Sequence, residues 1–214
     1  MKINLLLKLS VAVALLISFQ AKLNAQFVAD SSQTFFVCNA ASSQTIVSAF
    51  GDGNGGTFSF WIDKRYGNAG TAIYGQHLDS AGNAIWQANG QLFFQADAKE
   101  IMLMKAIPWQ SGFLIAWIQG PFAAGGDTLY CNYYNAQGVN QWTQPTVAAN
   151  KQGSVLRIEA EDMNVFANDS GATITYKYMV SGGMDYFSFN RFDFSGLLKW
   201  PLNNFSNTVN GYYY

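Results

Sequence analysis

The sequence predicts an all-β fold, a β-propeller-like array of about three and a half four-stranded antiparallel blades that does not close. The main observation is a set of four residues that returns 56 residues later and again some 58 residues after that. The set is Trp61, Asp79, Gly82 and Trp86, then Trp117, Asn135, Gly138 and Trp142, then Tyr176, Asp193, Gly196 and Trp200. A second observation is that apolar residues after residue 25 nowhere keep a helical spacing for three turns, whereas residues 57–61 alternate with period two.

The first unit, residues 44–94, shows the expected strands in order. Residues 45–50 form a β-rich run, and residues 51–56 suit a tight turn because glycine and asparagine tolerate a positive φ. Residues 57–61 alternate with period two, a polar loop covers 63–70, and a third strand covers 72–78. Asp79 and Gly82 stand first and fourth in a type I turn, and the fourth strand is predicted to carry Ile85 and Trp86.

The second and third units cover residues 95–150 and 151–205, with partial units at both ends. Phe35-Phe36 lies 58 residues before Phe93-Phe94, and residues 203–214 resemble the opening of a fourth unit. Aromatic residues that return in every unit are predicted to pack between blades, since they serve what the units share.

Residues 1–25 are predicted to be a cleaved secretory signal peptide. Lys2 precedes a short apolar stretch, and Leu23-Asn24-Ala25 provides a small-residue exit. Lys8 and Lys22 leave an apolar run shorter than the ~20 residues of a membrane span. We therefore expect residues 26–214 to form the repeat domain of a secreted or cell-surface protein, with no membrane span after cleavage.

The charge balance argues against nucleic acid and anionic membranes as partners. Without Lys2, Lys8 and Lys22, the 12 basic residues fall to 9 against 13 acidic ones, a net charge of about −4, and no basic run remains. The single histidine, His77, excludes a histidine cluster for zinc. It corresponds to Tyr133 and Arg191 in the other units, which suggests a surface strand position.

Cys38 and Cys131 allow one disulfide at most. They fall on different strands of different units, and a bridge requires their Cα atoms to lie within ~7 Å. Two buried, unpaired thiols are the favoured expectation, with a bridge as the alternative.

The first unit resembles a tandem repeat of large exported bacterial proteins. The resemblance rests on Asp52-Gly53-Asn54-Gly55-Gly56, Trp61-Ile62-Asp63-Lys64-Arg65, Ile73-Tyr74-Gly75-Gln76, Leu78-Asp79, Gly82-Asn83 and Trp86-Gln87-Ala88-Asn89-Gly90. Those repeats are generally taken to build β-propellers, and the resemblance implies an exported or cell-surface protein, often from Bacteroidetes-like bacteria. It implies no single activity and no catalytic residues. The second unit has Gln119-Gly120-Pro121 in place of the Asp-Lys-Arg segment.

Three aromatic residues are candidates for binding a ligand: Trp109, Tyr66 and Tyr133. Trp109 stands outside the repeat register, at the turn before Gln110-Ser111-Gly112 where the first unit has Gly53. An aromatic side chain on a turn can stack on a sugar ring or anchor a protein partner. The alternative is a tryptophan folded back over the sheet edge.

Glu159, Glu161 and Asp162 form the densest acidic cluster. On a regular strand Glu159 and Glu161 share a face, and several carboxylates suit Ca²⁺. The cluster could instead supply the paired carboxylates of glycoside hydrolysis, or it could be a solvated strand edge protected by charge. No other metal or cofactor is predicted.

The leading functional hypothesis is an exported, non-catalytic binding or adhesion module for a glycan or an extracellular protein. The alternatives are a fragment of an extracellular hydrolase whose catalytic residues lie outside this chain, and a structural spacer. An unclosed array leaves sheet edges open, and three explanations stay open. The chain is a truncated product of a larger surface protein, which is the favoured explanation, or it closes by self-association through those edges, or it is a shorter curved β-array.

Overall fold

The computed structural model describes residues 36–121, 128–150, 155–180 and 182–199. It confirms the all-β fold: the described residues form strands, turns and one short 3₁₀ turn, Gly67–Ala69. In this part of the chain no helix has the length and apolar character needed to span a membrane. The predicted signal peptide, Trp200 and the opening of a fourth unit lie outside the described residues.

In the described residues, eleven strands form three antiparallel sheets in which neighbours along the chain are neighbours in the sheet. Sheet 1 contains β1 (Gln44–Gly51), β2 (Thr57–Asp63), β3 (Ala72–Leu78) and β4 (Gln91–Gln95). Sheet 2 contains β5 (Glu100–Trp109), β6 (Gly112–Gly120), β7 (Thr128–Asn135) and β8 (Thr146–Asn150). Sheet 3 contains β9 (Val155–Asn168), β10 (Gly171–Val180) and β11 (Met184–Phe192). This up-and-down order is that of a propeller blade.

The fourth strand of the first unit lies later than predicted. After the turn at Asp79 only an isolated bridge forms, between Leu78 and Ala84, and β4 begins at Gln91. Trp86 does not continue the strand, because its side chain leaves the sheet and packs on the Phe58 ring, with the ring centroids 5.6 Å apart. The other two sheets show the same short bridge, Tyr134 to Asn140 and Phe192 to Leu198.

The recurring Asp or Asn builds the turn after the third strand of each sheet. Oδ1 of Asp79 accepts the N–H groups of Ala81 and Asn83, at 2.9 and 2.8 Å. Asn135 and Asp193 repeat both bonds at their own turns. The recurring glycine is needed because the fourth position of the turn has a positive φ, between 77° and 82° in the three copies.

The three sheets stack face to face, and each has a front face towards the preceding unit and a back face towards the next. Alternation along the second strand assigns the faces: Phe58, Phe60 and Ile62 point back, and Trp61 points forward. The cluster between sheets 1 and 2 adds Phe113, Ile115 and Trp117 from the front of sheet 2. Leu114, Ala116 and Ile118 on its back meet Ala172, Ile174 and Tyr176 of sheet 3. Trp86, Trp117, Trp142 and Tyr176 therefore pack between sheets, as predicted. Trp61 packs instead with Val37 and Cys38 on the front of sheet 1.

The first strands of neighbouring sheets also contact each other. Oγ of Ser48 donates to the carbonyl oxygen of Ala106 at 2.9 Å and accepts its N–H at 3.1 Å. Nζ of Lys105 donates to Oδ1 of Asn164 at 2.8 Å. First strands lie together where blades surround a common axis, so the described array is propeller-like and unclosed.

Both cysteine thiols are free, as favoured by the sequence. Cys38 packs on the front of sheet 1, whereas Cys131 is buried in the core between sheets 2 and 3. The two residues thus belong to separate hydrophobic clusters.

Candidate functional site

A buried carboxylate, Asp63, organises the loop end of sheet 1. It is the last residue of β2 and is fully buried. Its oxygens accept Nε1–H of Trp61 at 3.0 Å, Nε–H and Nη2–H of Arg65 at 2.9 and 2.6 Å, and the Arg65 backbone N–H at 2.9 Å. Burial opposes ionisation of Asp63, but the hydrogen bonds from Arg65 and Trp61 outweigh it and lower its pKa.

Asp63 fixes Arg65 over the Tyr74 ring. The guanidinium carbon lies 3.8 Å from the ring centroid, a cation–π distance. Nη2 also donates to the carbonyl oxygen of Asn89 at 3.1 Å and lies 3.7 Å from Sγ of Cys38. The hydrogen bonds to Asp63 raise the pKa of Arg65, so the guanidinium stays charged.

Two tyrosines complete this arrangement, which we call the Tyr66 platform: Asp63, Arg65, Tyr66 and Tyr74. The hydroxyl groups of Tyr66 and Tyr74 lie 2.8 Å apart. Tyr74 is buried, and burial together with this hydrogen bond raises its pKa to about 12. Tyr66 is half-buried, so part of its ring faces solvent in a fixed orientation.

The chemistry of the Tyr66 platform suits recognition better than bond cleavage. Trp61 and Arg65 supply four donors to the oxygens of Asp63, and Nε2 of Gln44 supplies a fifth at 3.5 Å. The carboxylate is therefore poorly placed to accept a proton from a substrate. An oriented tyrosine ring beside hydroxyl groups and a guanidinium offers stacking and hydrogen bonding to a ligand.

At the opposite end of sheet 1, His77 pairs with Asp52. Nε2 of His77 lies 2.9 Å from Oδ2 of Asp52, and the imidazole stacks on Phe58 at 4.1 Å. The side chains are only 12% and 8% exposed, so the expectation of a surface histidine is wrong. Burial opposes ionisation of Asp52, but hydrogen bonds from His77 and from Asn54 and Gly56 of the turn lower its pKa.

The positions of Asp52 and His77 form a pair in every sheet. Trp109 takes the place of Asp52 and meets Tyr133, with ring centroids 4.9 Å apart. Asn168 takes it in sheet 3, where its Oδ1 accepts Nη2–H of Arg191 at 3.2 Å. Different pairs of side chains thus close the same hairpin in the three sheets. We therefore interpret Asp52 and His77 in sheet 1 as closing their hairpin rather than as a catalytic dyad.

The prediction that a turn presents Trp109 to a ligand is wrong. Trp109 is 3% exposed, its Nε1–H donates to the carbonyl oxygen of Asn168 at 3.1 Å, and its ring stacks on Phe194 at 5.4 Å. It wedges sheets 2 and 3 together, because it is the last residue of β5 and points to the back face. Tyr133 packs beside it and is half-buried, whereas Tyr66 belongs to a different cluster. The three candidates therefore do not form one site.

The acidic cluster lies on an irregular part of β9. Thr175 faces Asn164 and Lys177 faces Glu159, so a bulge interrupts the alternation that would align the carboxylates. Oε1 of Glu159 accepts Nε–H of Arg157 at 2.7 Å, and Asp162 lies 3.3 Å from Nζ of Lys177. The side chain of Glu161 lies outside the described residues, so calcium binding by Glu159, Glu161 and Asp162 stays a prediction. Among described residues no three His, Cys, Asp or Glu side chains are grouped to hold a metal.

Sequence reasoning missed a buried amide in the third strand of each sheet: Gln76, Asn132 and Asn190. Oε1 of Gln76 accepts the N–H groups of His77 and Trp86 at 3.0 and 3.1 Å. Nδ2 of Asn132 donates to the Tyr134 hydroxyl at 3.1 Å. These three positions are separated by the same offsets of 56 and 58 residues as the repeat, so the recurring amide could have been recognised from the sequence.

No protein-family model matches the chain, and no curated protein matches it. One similar solved structure is an exo-1,5-alpha-L-arabinanase from a bovine ruminal metagenomic library. The identity is 8% and the TM-score 0.31, over 72% of this chain and 76% of that one. A likeness this low says nothing about what this chain does, and the fold class rests on the three sheets themselves.

Proposed function

We propose that this protein is an exported, non-catalytic binding module that recognises a glycan through the Tyr66 platform. The observation that carries the proposal is the fixed, half-exposed Tyr66 ring, held by a hydroxyl contact of 2.8 Å to a buried tyrosine that itself lies under Arg65. Pre-organised aromatic rings bind flat, hydroxylated surfaces with little loss of side-chain entropy.

A binding role also agrees with how the described polar groups are used. Asp52, Asp79, Asn135 and Asp193 each accept backbone N–H groups of their own turns, which makes them structural. The oxygens of Asp63 are occupied by donors from Trp61, Arg65 and Gln44. The polar chemistry of these positions stabilises loops and holds one aromatic surface.

The test is a glycan-array screen of the purified protein, followed by calorimetry on any hit and a parallel assay for hydrolysis. We expect Tyr66→Ala to reduce affinity about five- to thirtyfold, since stacking on one aromatic ring contributes about 1–2 kcal/mol. Tyr133→Ala is the matched control, because Tyr133 is also half-buried but lies at the other end of its sheet.

Three results would contradict this function. Turnover of a glycan would favour the hydrolase fragment, binding of protein but not glycan would change the ligand class, and no binding would favour a spacer. Equal losses in both tyrosine variants would place the binding surface elsewhere.

A further inference from the structure

The two ends of the stack expose positions that are buried wherever one sheet covers another. At the front, Ala49 of sheet 1 is exposed, whereas its equivalents Ala106 and Val165 are 5% and 9% exposed. At the back, Phe187 of sheet 3 is 50% exposed, whereas its equivalents Ile73 and Leu129 are fully buried. The pairing registers establish these equivalences.

The segment before β1 shows the same pattern. Phe94 of sheet 1 packs on Trp117 at the front of sheet 2, with ring centroids 4.6 Å apart. Phe36, which lies 58 residues earlier, is 76% exposed, while Val37 and Cys38 pack on the front of sheet 1. Residues 36–38 thus lie where the outer strand of a preceding sheet would pass.

We propose that two copies of this chain associate head to tail, the back of sheet 3 in each copy covering the front of sheet 1 in the other. The contact continues the back-to-front interface that already joins sheets 1, 2 and 3. Two copies bring about six sheets around one axis, within the usual range of about four to eight blades for a closed propeller. A head-to-tail contact that returns to its start gives a closed ring, so neither end stays uncovered.

The composition of the sheet 3 back face suits a contact between chains. Its central strand carries Thr173, Thr175 and Lys177, where sheet 2 has Leu114, Ala116 and Ile118. Phe166 and Phe187 on the flanking strands are exposed. Apolar anchors among polar groups are typical of interfaces whose partners also exist apart.

The contacts between the first strands of neighbouring sheets within one chain also indicate which residues of the two copies would contact each other. Ser48 and Lys105 stand at equivalent positions, and each reaches the first strand of the next sheet. Asn164 stands at that position in sheet 3, because it faces Thr175 as Ser48 faces Phe60. In the ring, Asn164 lies beside Ala49 of the other copy.

The test is sedimentation velocity of the purified protein over a range of concentrations. We expect a dimer, and we expect Ala49→Arg and Phe187→Glu each to raise its dissociation constant by about a hundredfold, since each puts a charge into one end of the contact. Mixing the two variants restores the dimer, because each still carries one intact end and the new charges oppose each other. Val139→Glu, at an exposed hairpin tip, is the control and leaves the dimer unchanged.

A second measurement, disulfide cross-linking, does not depend on introducing charges into the interface. In a Cys38→Ser background, which removes the half-buried native thiol, a chain carrying Asn164→Cys and a chain carrying Ala49→Cys are mixed and oxidised. The mixture is expected to give a covalent dimer, and neither chain gives one alone. A monomer at every concentration, growth of open chains, or loss of the dimer in Phe187→Glu but not in Ala49→Arg would overturn the ring. Because Tyr66 and Tyr74 pack on the same front of sheet 1, glycan binding is measured on the dimer and on the Ala49→Arg monomer. Failure of the ring leaves the Tyr66 proposal standing.

Discussion

Replacing Asp63 by asparagine tests whether the buried carboxylate holds the loop end of sheet 1. Asparagine keeps one oxygen acceptor but turns an amide donor towards Arg65, so at least two of the four hydrogen bonds are lost. Each bond to a charged partner contributes about 1.5 kcal/mol or more, which predicts a loss of about 3 kcal/mol. Arg65 is 22% exposed, so solvent screening keeps the loss below the 3–5 kcal/mol typical of a fully buried pair.

The assay is urea unfolding and thermal melting of wild type and Asp63→Asn. A loss of about 3 kcal/mol corresponds to roughly 6–12 °C in melting temperature for a chain of this size. Gln119→Asn is the matched control, because Gln119 holds the equivalent position in sheet 2 and has no ion pair with an arginine there. A change below about 1 kcal/mol in Asp63→Asn would refute the reasoning.

The same variant should show a defined pH dependence. Because the folded-state pKa of Asp63 is lowered, its contribution is present above the unfolded pKa of about 3.9 and is lost as pH falls through the folded value. The stability difference between wild type and Asp63→Asn should therefore be constant near neutral pH and shrink below about pH 4. A difference that grows on acidification would contradict the assigned sign.

Three further predictions follow from packing. Trp109→Ala should lower the free energy of unfolding by about 3–5 kcal/mol in urea titrations without affecting glycan binding, because Trp109 fills the space between sheets 2 and 3. Gly196→Ala should lower the melting temperature more than Gly53→Ala: both glycines have φ near 80°, but a Cβ at Gly196 would lie 2.7 Å from the Trp142 ring and one at Gly53 meets nothing within 4 Å. In thiol labelling, Cys131 should react only after unfolding, because complete burial raises its pKa, whereas half-buried Cys38 should react in the folded protein. Equal effects of the two glycine variants, or labelling of both cysteines at one rate, would show these contacts to be wrong.

The sequence predicted the parts of the fold that follow from local rules. The Asp79 turn needs an Asx side chain and a glycine at fixed spacing, so its three copies were recognisable from the chain alone. The alternation of Phe58, Phe60 and Ile62 likewise identified β2 and its two faces. The start of β4 could not be found in this way, because Trp86 has the composition of a strand residue and only packing on Phe58 draws it out of the sheet.

The site was predicted less well, for a physical reason. Whether Trp109 faces solvent or the core depends on a shift of one residue in register at the end of β5. The first hairpin turn has two residues in sheet 2 and three in sheet 1, so alignment by the fixed offset matched Trp109 with Gly53 instead of Asp52. The Tyr66 platform depends on contacts between residues 8 to 24 positions apart, such as Tyr66 with Tyr74 and Arg65 with Asn89. Residue spacing within one strand does not predict contacts between residues on different strands and loops.

Equivalent positions in the three sheets show which side-chain interactions the fold requires and which it does not. Each sheet needs its first hairpin closed, and a carboxylate–imidazole hydrogen bond, an aromatic pair and an amide–guanidinium pair all do so, at Asp52, Trp109 and Asn168. The loop end of the second strand has no such requirement, since sheet 2 forms without the Asp63 network. Within the described residues, Nε1 of Trp117 and Oε1 of Gln119 have no hydrogen-bond partner. A buried polar atom without a partner costs about 1–3 kcal/mol, so the network in sheet 1 improves a position that the fold tolerates unsatisfied. Residues that build a fixed aromatic surface where folding does not demand one are the strongest candidates for function, and in the described chain they converge on Tyr66.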